Sequence, residues 1–461
     1  MSLPGLQLSA SDEPVLSAVV HHLTEGSEWR FEVAFGSTVE IKLLSGNAEL
    51  FGTELAQKQT YSFSGTKAAI YTWHGCTIEV AGECQVEYLA EETPMISYAN
   101  LHFALERKRD EAVSTGQDGP RVLVLGPEDA GKTSLVKLLT AYATRSGRQP
   151  VTVNLDPKEG ILSVPGSLSA VTFSSILDVE EGWGSSPVNG PSPIPVMLPL
   201  VYYYGQANPD SGDRIYKPIV TRLAVAVLSK LQDDRHVGSS GCLIDTPGAI
   251  SQGKGGYDII QHIVSEFSVN VLVVVGSERL YSDMLRRFNG QPIGIGETTT
   301  VIKLDRSGGS VDRDEDFLRR SRKAQFLRYF YGDPKMELHP RTTECDFSHV
   351  TIYRVPNTTS DFLASLLPGG EAEDDAATQR LIYEKVVPSP QMQNGILAVV
   401  QADGNDTPEH IRDASVIGFV QITEVDEKRK KLRILPPIGL QLPRRALIWG
   451  SWPSDLGELV R

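Results

Sequence analysis

The residues with the clearest chemical potential form one short glycine-rich segment, GPEDAGKT at Gly126–Thr133. It fits the G-x-x-x-x-G-K-[ST] pattern, and the apolar run RVLVLG before it and the amphipathic run TSLVKLLTAYA after it predict the required strand and helix. The glycines let the backbone wrap around phosphates, and the helix N-terminus directs N–H groups at them. Lys132 is suited to neutralising β- and γ-phosphate oxygens, and the Thr133 hydroxyl to holding Mg²⁺. We therefore predict a site for a nucleoside triphosphate with Mg²⁺.

Two aspartates follow apolar runs that are predicted to be strands of the same sheet. Asp156 ends VTVNLD, and Asp245 ends CLID, which continues as Thr246-Pro247-Gly248. Because the carboxyl ends of strands in an open α/β sheet face the ligand crevice, both carboxylates are expected near the phosphate site. We interpret Asp245 as a carboxylate that organises the metal and Asp156 as a group near a phosphate acceptor. An ordinary turn-capping role is the alternative for each.

A basic segment further along the chain would complete a site for phosphoryl transfer. Between Arg313 and Arg328 it interleaves basic residues with acidic ones. The pattern predicts a helix at the edge of the site, acting as a lid that brings arginines to the charge of the transition state. A solvated helix face accounts for the same charges equally well.

The elements that must position these groups fall into three regions of the chain. We predict an α/β protein: an N-terminal β sandwich or barrel at 1–100, a central phosphate-binding domain with a mostly parallel sheet at 101–333, and a C-terminal β-rich domain at 334–461. The N-terminal strands are predicted at Arg30–Phe35, Ser37–Leu44, Thr60–Ser64, Lys67–Trp73 and Cys76–Gly82. The main central helices are predicted at Thr133–Thr144, Pro218–Gln232 and Tyr257–Phe267, and loops at Glu181–Pro199 and Pro368–Gln379.

Composition excludes several classes of protein. The 461 residues contain 44 Lys+Arg and 58 Asp+Glu, a net charge of −14, so bulk charge cannot attract nucleic acid. The four cysteines form no C-x-x-C pair, which argues against a thiolate zinc site or a disulfide framework. Apolar runs are too short to span a bilayer, so no membrane partner is expected.

Several segments together resemble the P-loop polynucleotide 5′-hydroxyl-kinase family. More narrowly, they resemble its RNA-processing branch, which includes the nuclear pre-mRNA cleavage and polyadenylation factor subunit, in a fungal-like and kinase-degenerate form. The resemblance covers nearly the whole chain. Besides the phosphate loop, it is carried by EWRFEV, ELFGTEL, TWHGC, TPMISY, DVEEGW, GSERLY, SGGSVDRDEDF and RYFYG.

The resemblance implies an N-terminal domain that closes over ATP, with Glu28 and Lys67 on the side of the base. It also implies that the phosphates are held by Asp129, Ala130, Gly131, Lys132, Thr133 and Ser134, following Gly126. Thr133 and Asp245 would hold Mg²⁺. A nuclear location is implied, together with another cleavage-factor subunit docked on the central and C-terminal domains. Pre-mRNA would be bound indirectly or weakly.

This chain departs from the active kinases of the family on the acceptor side. Lys158-Glu159 replaces the Gly-Gln pair that follows the aspartate matching Asp156, and Ala249 replaces a tryptophan that would stack on the RNA end. Glu159 also adds negative charge where a phosphoryl group would transfer. Of the lid arginines, Arg319 and Arg322 remain, whereas Gln325 and Leu327 stand where active members carry arginine.

Three functional hypotheses follow. The first is an ATP-binding scaffold of the pre-mRNA 3′-end machinery without kinase activity. The second is an active RNA 5′-hydroxyl kinase, with Asp156 accepting the hydroxyl proton and Asp245, Arg319 and Arg322 supporting transfer. The third is a GTPase-type switch, favoured by LIDTPG but opposed by Ile302-Lys303-Leu304-Asp305, which lacks the amide or hydroxyl residue that guanine selection needs.

Overall fold

The computed structural model describes residues 18–180, 183, 199–209, 214–294, 297–333, 336–356, 382–437, 440, 444–454, 456–457 and 459. The loop predicted at Pro368–Gln379 lies outside these residues, as does the loop predicted at Glu181–Pro199 except for its residues Trp183 and Pro199. The chain forms two compact units. One contains the described residues up to Leu50 together with Glu54–Thr93, and the other contains Phe51–Thr53 and the described residues from Pro94 onward. The three-domain limits at 100 and 333 stay predictions.

The first unit is built from short antiparallel strands. They are β1 (Ala18–Leu23), β2 (Glu28–Val33), β3 (Val39–Gly46), β4 (Glu49–Leu50), β5 (Thr53–Glu54), β6 (Thr60–Phe63), β7 (Thr66–Tyr71), β8 (Cys76–Ala81) and β9 (Val86–Ala90). One sheet has the order β1-β8-β3-β6 and the other β5-β4-β7-β2-β9. The ring of Phe31 on β2 meets that of Phe63 on β6 edge-on, with centroids 5.5 Å apart, so the two sheets pack as a sandwich.

The strands predicted in this unit are confirmed with ends that differ by at most two residues. The two-residue strands β4 and β5 are missing from the prediction, and so are the longer strands β1 and β9. Both of the longer strands are edge strands whose side chains are mostly exposed. Their sequences therefore lack the alternation of buried and exposed positions by which a half-buried strand is recognised.

The central sheet positions the phosphate loop. Its strands and an adjoining hairpin are β10 (Arg121–Leu125), β11 (Val151–Asn154), β12 (Ser167–Thr172), β13 (Leu200–Tyr203), β14 (Cys242–Asp245), β15 (Val271–Val275), β16 (Pro292–Gly294), β17 (Glu297–Thr298) and β18 (Thr300–Leu304). The sheet order is β13-β12-β11-β14-β10-β15-β18. In this order, the five neighbouring strands β11, β14, β10, β15 and β18 are parallel. The strands β12 and β13 pair antiparallel and add an edge to the sheet. The predicted mostly parallel sheet is confirmed.

Helices cover this sheet and connect its strands. They are α1 (Met95–Thr115), α2 (Lys132–Arg145), α3 (Tyr216–Asp233), α4 (Arg235–Ser240), α5 (Gly253–Glu266), α6 (Glu278–Phe288) and α7 (Glu315–Tyr331), with a 3-10 turn at Gly248–Ser251. The helix α7 begins where the Asp314 carboxylate accepts a hydrogen bond from Phe317 N at 2.7 Å. None of the described helices combines the length and the apolarity that a bilayer crossing requires.

A second β-rich part follows α7. Its elements are β19 (Gly332–Asp333), β20 (Met336–Glu337), β21 (Thr343–Asp346), β22 (Thr351–Arg354), β23 (Glu384–Val386), β24 (Ile396–Asp403), α8 (Pro408–Asp413), β25 (Val416–Asp426), β26 (Lys431–Leu435) and β27 (Arg445–Trp449), with 3-10 turns at Phe347–His349 and Pro390–Met392. Seven strands form a sheet in the order β21-β26-β25-β24-β27-β22-β23. Phe419 on β25 packs against Tyr203 on β13 and donates its backbone N–H to the Tyr329 hydroxyl at 2.9 Å. The central and C-terminal sheets thus share one core.

The burial of His102 on α1 makes the stability of the second compact unit sensitive to acid. Its ring is buried against Tyr142, and its Nδ1 has no hydrogen-bond partner. Burial, opposed by Glu106 and reinforced by Arg109 and Arg148, lowers the pKa of His102 to about 4. Since an unfolded histidine titrates near pH 6.5, the unfolded state binds an extra proton between these values, and stability falls as pH drops through that window.

Replacing His102 by phenylalanine should remove this acid-sensitive contribution while keeping a ring against Tyr142. Between pH 7 and pH 5 the parent should lose up to about 2 kcal/mol more unfolding free energy than the variant. Urea denaturation of both proteins at the two pH values measures the difference. If the free energy of unfolding falls by the same amount in both proteins between pH 7 and pH 5, His102 is not the titrating group.

Candidate nucleotide site

The phosphate loop connects the buried strand β10 to the start of α2. Asp129 has a φ of 52° and Gly131 a φ of 87°, so two residues of the loop have left-handed backbone geometry. A Cβ at Gly126 would lie 2.7 Å from the carbonyl oxygen of Val275, and one at Gly131 would lie 3.0 Å from Ser310 Oγ. Glycine is therefore required at Gly126 by close packing and at Gly131 by backbone geometry.

Lys132, Thr133 and Asp245 meet at the start of α2. The Lys132 ammonium donates to the carbonyl oxygen of Pro127 at 2.7 Å, and Thr133 Oγ1 donates to Asp245 Oδ2 at 2.6 Å. Burial, opposed by Lys132, raises the pKa of Asp245 to about 6. A hydroxyl and a carboxylate in contact are oxygen donors of the kind that Mg²⁺ prefers, and a cation there would stabilise the buried carboxylate. The residues present therefore fit Mg²⁺.

The turn that follows Asp245 is fixed against the phosphate loop by hydrogen bonds. Thr246 Oγ1 donates to the carbonyl oxygen of Val124 at 2.6 Å, and Ser251 Oγ donates to that of Gly126 at 2.8 Å. A Cβ at Gly248 would lie 2.4 Å from the backbone nitrogen of Glu128. Ala249 is half-buried on this same turn. Because both ends of the turn are anchored, the phosphate loop and the Asp245 strand end form one rigid support.

Asp156 lies beyond the neighbouring strand end. Asn154 is the register partner of Asp245 between β11 and β14, which places Asp156 two residues further along. The Asp156 carboxylate accepts a hydrogen bond from the backbone N–H of Lys158 at 2.8 Å. Burial, and then the charge of Glu159, raises the pKa of Asp156 to about 7. The expectation that both aspartates lie at the carboxyl edge of the sheet is thus met by the register.

Arg313, the first residue of the basic segment predicted to be a lid, contacts this site directly, whereas the family resemblance named only Arg319 and Arg322 of that segment. Its Nε donates to Asp129 Oδ1 at 2.7 Å, and its two terminal nitrogens donate to the two carboxylate oxygens of Glu159. Burial opposes the charged form, but the bonds to Glu159 and the charge of Asp129 raise the pKa of Arg313. The negative charge that Glu159 adds beside the predicted transfer position is therefore paired with an arginine.

The other lid arginines have different partners. Arg319 pairs with Asp316 at 2.8 Å. Arg322 is buried, donates to Glu315 at 2.7 Å, and lies 4.5 Å from the centre of the Trp452 ring. None of these partners belongs to the phosphate loop. The sequence signal that separates Arg313 from them is its position immediately before the helix cap Asp314, outside α7 itself.

Glu28 and Lys67, which the resemblance assigns to the nucleotide, lie in the β sandwich. Glu28 is buried and pairs with Arg30, while Lys67 pairs with Glu32 across β2 and β7 at 2.9 Å. Burial, opposed by Arg30, raises the pKa of Glu28. Their role towards a nucleotide stays a prediction.

Three further sequence features have structural explanations. The basic segment EKRKK forms the exposed turn between β25 and β26 and the start of β26. The run Tyr202-Tyr203-Tyr204 is buried core rather than a stacking surface. Lys303, in the segment compared with a guanine-selective motif, pairs with Glu278. In the described residues, no group of three or more His, Cys, Asp or Glu side chains could hold a metal ion on its own.

Family models match three consecutive parts of the chain. They describe an N-terminal β-sandwich domain of polyadenylation factor at residues 22–112, the P-loop of mRNA cleavage and polyadenylation factor CLP1 at 126–332, and the pre-mRNA cleavage complex II protein Clp1 at 338–454. The chain is 56% identical to mRNA cleavage and polyadenylation factor clp1 of Botryotinia fuckeliana over 98% of both chains. It is 50% identical to the CLP1 factor of Phaeosphaeria nodorum over the full length of both.

Solved structures show the same fold. A wild-type Clp1p–Pcf11p complex contains a chain that is 28% identical, with a TM-score of 0.82 and coverage of 95% of this chain and 98% of that one. A second structure contains a chain that is 29% identical, with a TM-score of 0.81 and coverage of 95% of this chain and 98% of that one. It describes an extended interface between Pcf11p and Clp1p and the structural basis for the loss of ATP in a glycine-to-arginine point mutant.

Proposed function

Because this chain belongs to the Clp1 family of mRNA cleavage and polyadenylation factors, we propose that it is the ATP-binding scaffold subunit of a pre-mRNA 3′-end cleavage and polyadenylation complex. The observation that carries the proposal is the contact of Thr133 with Asp245 beside Lys132, at the start of a helix that follows a glycine-rich loop. This arrangement provides backbone N–H groups, an ammonium and metal-binding oxygens for a triphosphate. The loss of ATP from a glycine-to-arginine mutant of a similar protein supports ATP as the nucleotide.

In this proposal the phosphates lie along Gly126–Ser134, and Mg²⁺ is held by Thr133 and Asp245. Thr133 and Asp245 would hold the positive charge of Mg²⁺ beside the phosphates, where it would offset part of their negative charge. Lys132 would leave the Pro127 carbonyl and turn to the phosphates. Glu28 and Lys67 would contact the base side. A ligand bound by the folded state alone stabilises that state by mass action, so ATP would act as a structural component.

A second cleavage-factor subunit is proposed to dock on the central and C-terminal domains. The similar structures are complexes of Clp1p with Pcf11p, and the fold match extends over 95% of this chain. The shared core of the two sheets gives such a partner a rigid surface. We further propose that the protein acts in the nucleus and meets pre-mRNA indirectly or weakly.

An RNA 5′-hydroxyl kinase is the alternative function, favoured by one observation. Asp156 has a pKa raised to about 7, which suits a general base at neutral pH. Against it, Glu159 and Arg313 neutralise each other beside Asp156, so this arginine is not available to a transferring phosphoryl group. A GTPase-type switch has no comparable structural support.

We expect the purified protein to retain ATP and to leave it intact. Incubated with γ-labelled ATP, Mg²⁺ and a 5′-hydroxyl oligoribonucleotide, it should label the RNA far more slowly than the about 1–100 s⁻¹ typical of kinases. The Lys132→Ala variant provides the background level. Labelling that is well above this background would establish the kinase. A preference for GTP over ATP in a competition assay would favour the switch.

A further inference from the structure

We propose that Glu159 and Arg313 form a strap that retains the nucleotide, an inference that rests on the proposed binding of ATP. Arg313 donates from Nε to Asp129 Oδ1 at 2.7 Å and from a terminal nitrogen to Glu159 Oε2 at 3.1 Å. Its backbone N–H also donates to Asp129 Oδ2 at 3.2 Å. One arginine thus joins three segments that are far apart in sequence: the phosphate loop, the loop after β11 and the segment before α7.

The segment before α7 lies directly against the phosphate loop. Ser310 Oγ would be 3.0 Å from a Cβ at Gly131, and Arg306 Cβ would be 3.1 Å from one at Gly276. Arg306 also donates to the carbonyl oxygen of Ser310 and to Asp312, both at 3.0 Å, which fixes the shape of the segment. Arg313 therefore fastens a preformed cover to the loop that would hold the phosphates.

The residues that distinguish this chain from active kinases make these contacts. Glu159 holds Arg313, and Lys158 Nζ donates to Glu128 of the phosphate loop at 3.2 Å. The Gly-Gln pair of the kinase pattern could form neither ion pair. The same two substitutions that alter the acceptor side thus tie the loop after β11 to the phosphate loop.

The geometry makes Arg313 the central part of the strap. A guanidinium presents planar donors on three nitrogens, so Nε can bond one carboxylate while the two terminal nitrogens bond both oxygens of a second, whereas the donors of an ammonium all lie on one nitrogen. The side chains of Arg313, Asp129 and Glu159 are 29%, 16% and 25% exposed, so solvent screens these ion pairs only in part. Release of a nucleotide from beneath the cover requires these bonds to open, so the strap should act mainly on the dissociation rate.

The experiment is a double-mutant cycle on nucleotide release from the full-length protein. The protein is loaded with a fluorescent ATP analogue and Mg²⁺, and release is followed after a chase with excess ATP for the parent, Glu159→Gln, Arg313→Gln and the double variant. We expect each single change to accelerate release about tenfold, and the double variant to release at about the rate of the Arg313→Gln variant, because the two side chains act through one another. Arg313→Lys should fall between the parent and Arg313→Gln.

Arg320→Gln is the matched control, since Arg320 is an exposed arginine a short distance along α7, and its release rate should equal that of the parent. Single variants that release at the parental rate, or a double variant whose acceleration is the product of the two, would overturn the strap while leaving nucleotide binding intact. A parent that binds no analogue overturns both proposals. Glu159→Asp and Arg313→Lys, which preserve the charges, replace the glutamine variants if those fail to fold.

Discussion

Lys132→Ala is expected to lower the affinity for ATP by about 100-fold or more. Lys132 lies at the first position of α2, and it supplies the lysine of the G-x-x-x-x-G-K-T loop. A charge-assisted hydrogen bond contributes about 1.5–3 kcal/mol. If Lys132 contacts two phosphates, its replacement by alanine removes two such hydrogen bonds. Isothermal titration with Mg²⁺ and ATP measures the change directly.

The same substitution should lower the melting temperature in the presence of ATP. A 100-fold loss of affinity removes about 2.7 kcal/mol of ligand-derived stability at a fixed high ATP concentration, which corresponds to roughly 3–4 °C for a unit of this size. Lys303→Ala, at an exposed lysine paired with Glu278, is the control and should keep the parental affinity. An unchanged ATP affinity in the Lys132→Ala variant would remove the phosphate loop from the proposed site.

Arg109→Ala is expected to destabilise the second unit by about 3–5 kcal/mol, because it breaks a buried ion pair and leaves polar partners behind. Arg109 on α1 is 1% exposed. Its Nε donates to the carbonyl oxygen of Ser240 at 3.0 Å, and its guanidinium donates to Glu106 at 2.6 Å. Arg148 bonds the other carboxylate oxygen of Glu106 at 2.9 Å, so the network links α1 to the region before β11. Loss of Arg109 leaves the Ser240 carbonyl without this donor.

Urea or thermal denaturation without added nucleotide measures this effect, so that it is separated from any change in ATP binding. The control is Arg107→Ala, two residues earlier on the same helix, where the arginine is exposed. A surface substitution of this kind should change stability by no more than about 0.5 kcal/mol. If the two variants are equally stable, the buried network does not contribute as proposed.

These two residues differ in how far they could be recognised from the sequence. Lys132 was identified because the spacing of Gly126, Gly131 and Thr133 encodes a local structure, a strand followed by a tight loop and a helix start. Arg109 has no such signal, since it lies in an ordinary run of charged residues on α1. Its burial depends on Ser240, which is 131 positions away in sequence.

The tertiary structure also decided which arginine reaches the site. The charge pattern indicated the whole segment from Arg313 to Arg328, and the family resemblance indicated Arg319 and Arg322 within it. The helix α7 directs Arg322 to Trp452 and Arg319 to Asp316 instead. Arg313 reaches Asp129 and Glu159 because it precedes the helix, in the segment packed against Gly131.

The sequence by itself determined the elements whose signals are local: the phosphate loop, the apolar strands of the central sheet and the two aspartates at strand ends. Their positions follow from parallel pairing, which places Asp245 beside the residues of β11. Only the tertiary structure decided the antiparallel edge formed by β12 and β13, the core shared through Phe419, and the pairing of Glu159 with Arg313. Each of these depends on contacts between residues that are distant in the chain, and the energy of such contacts is set by packing and burial rather than by local spacing.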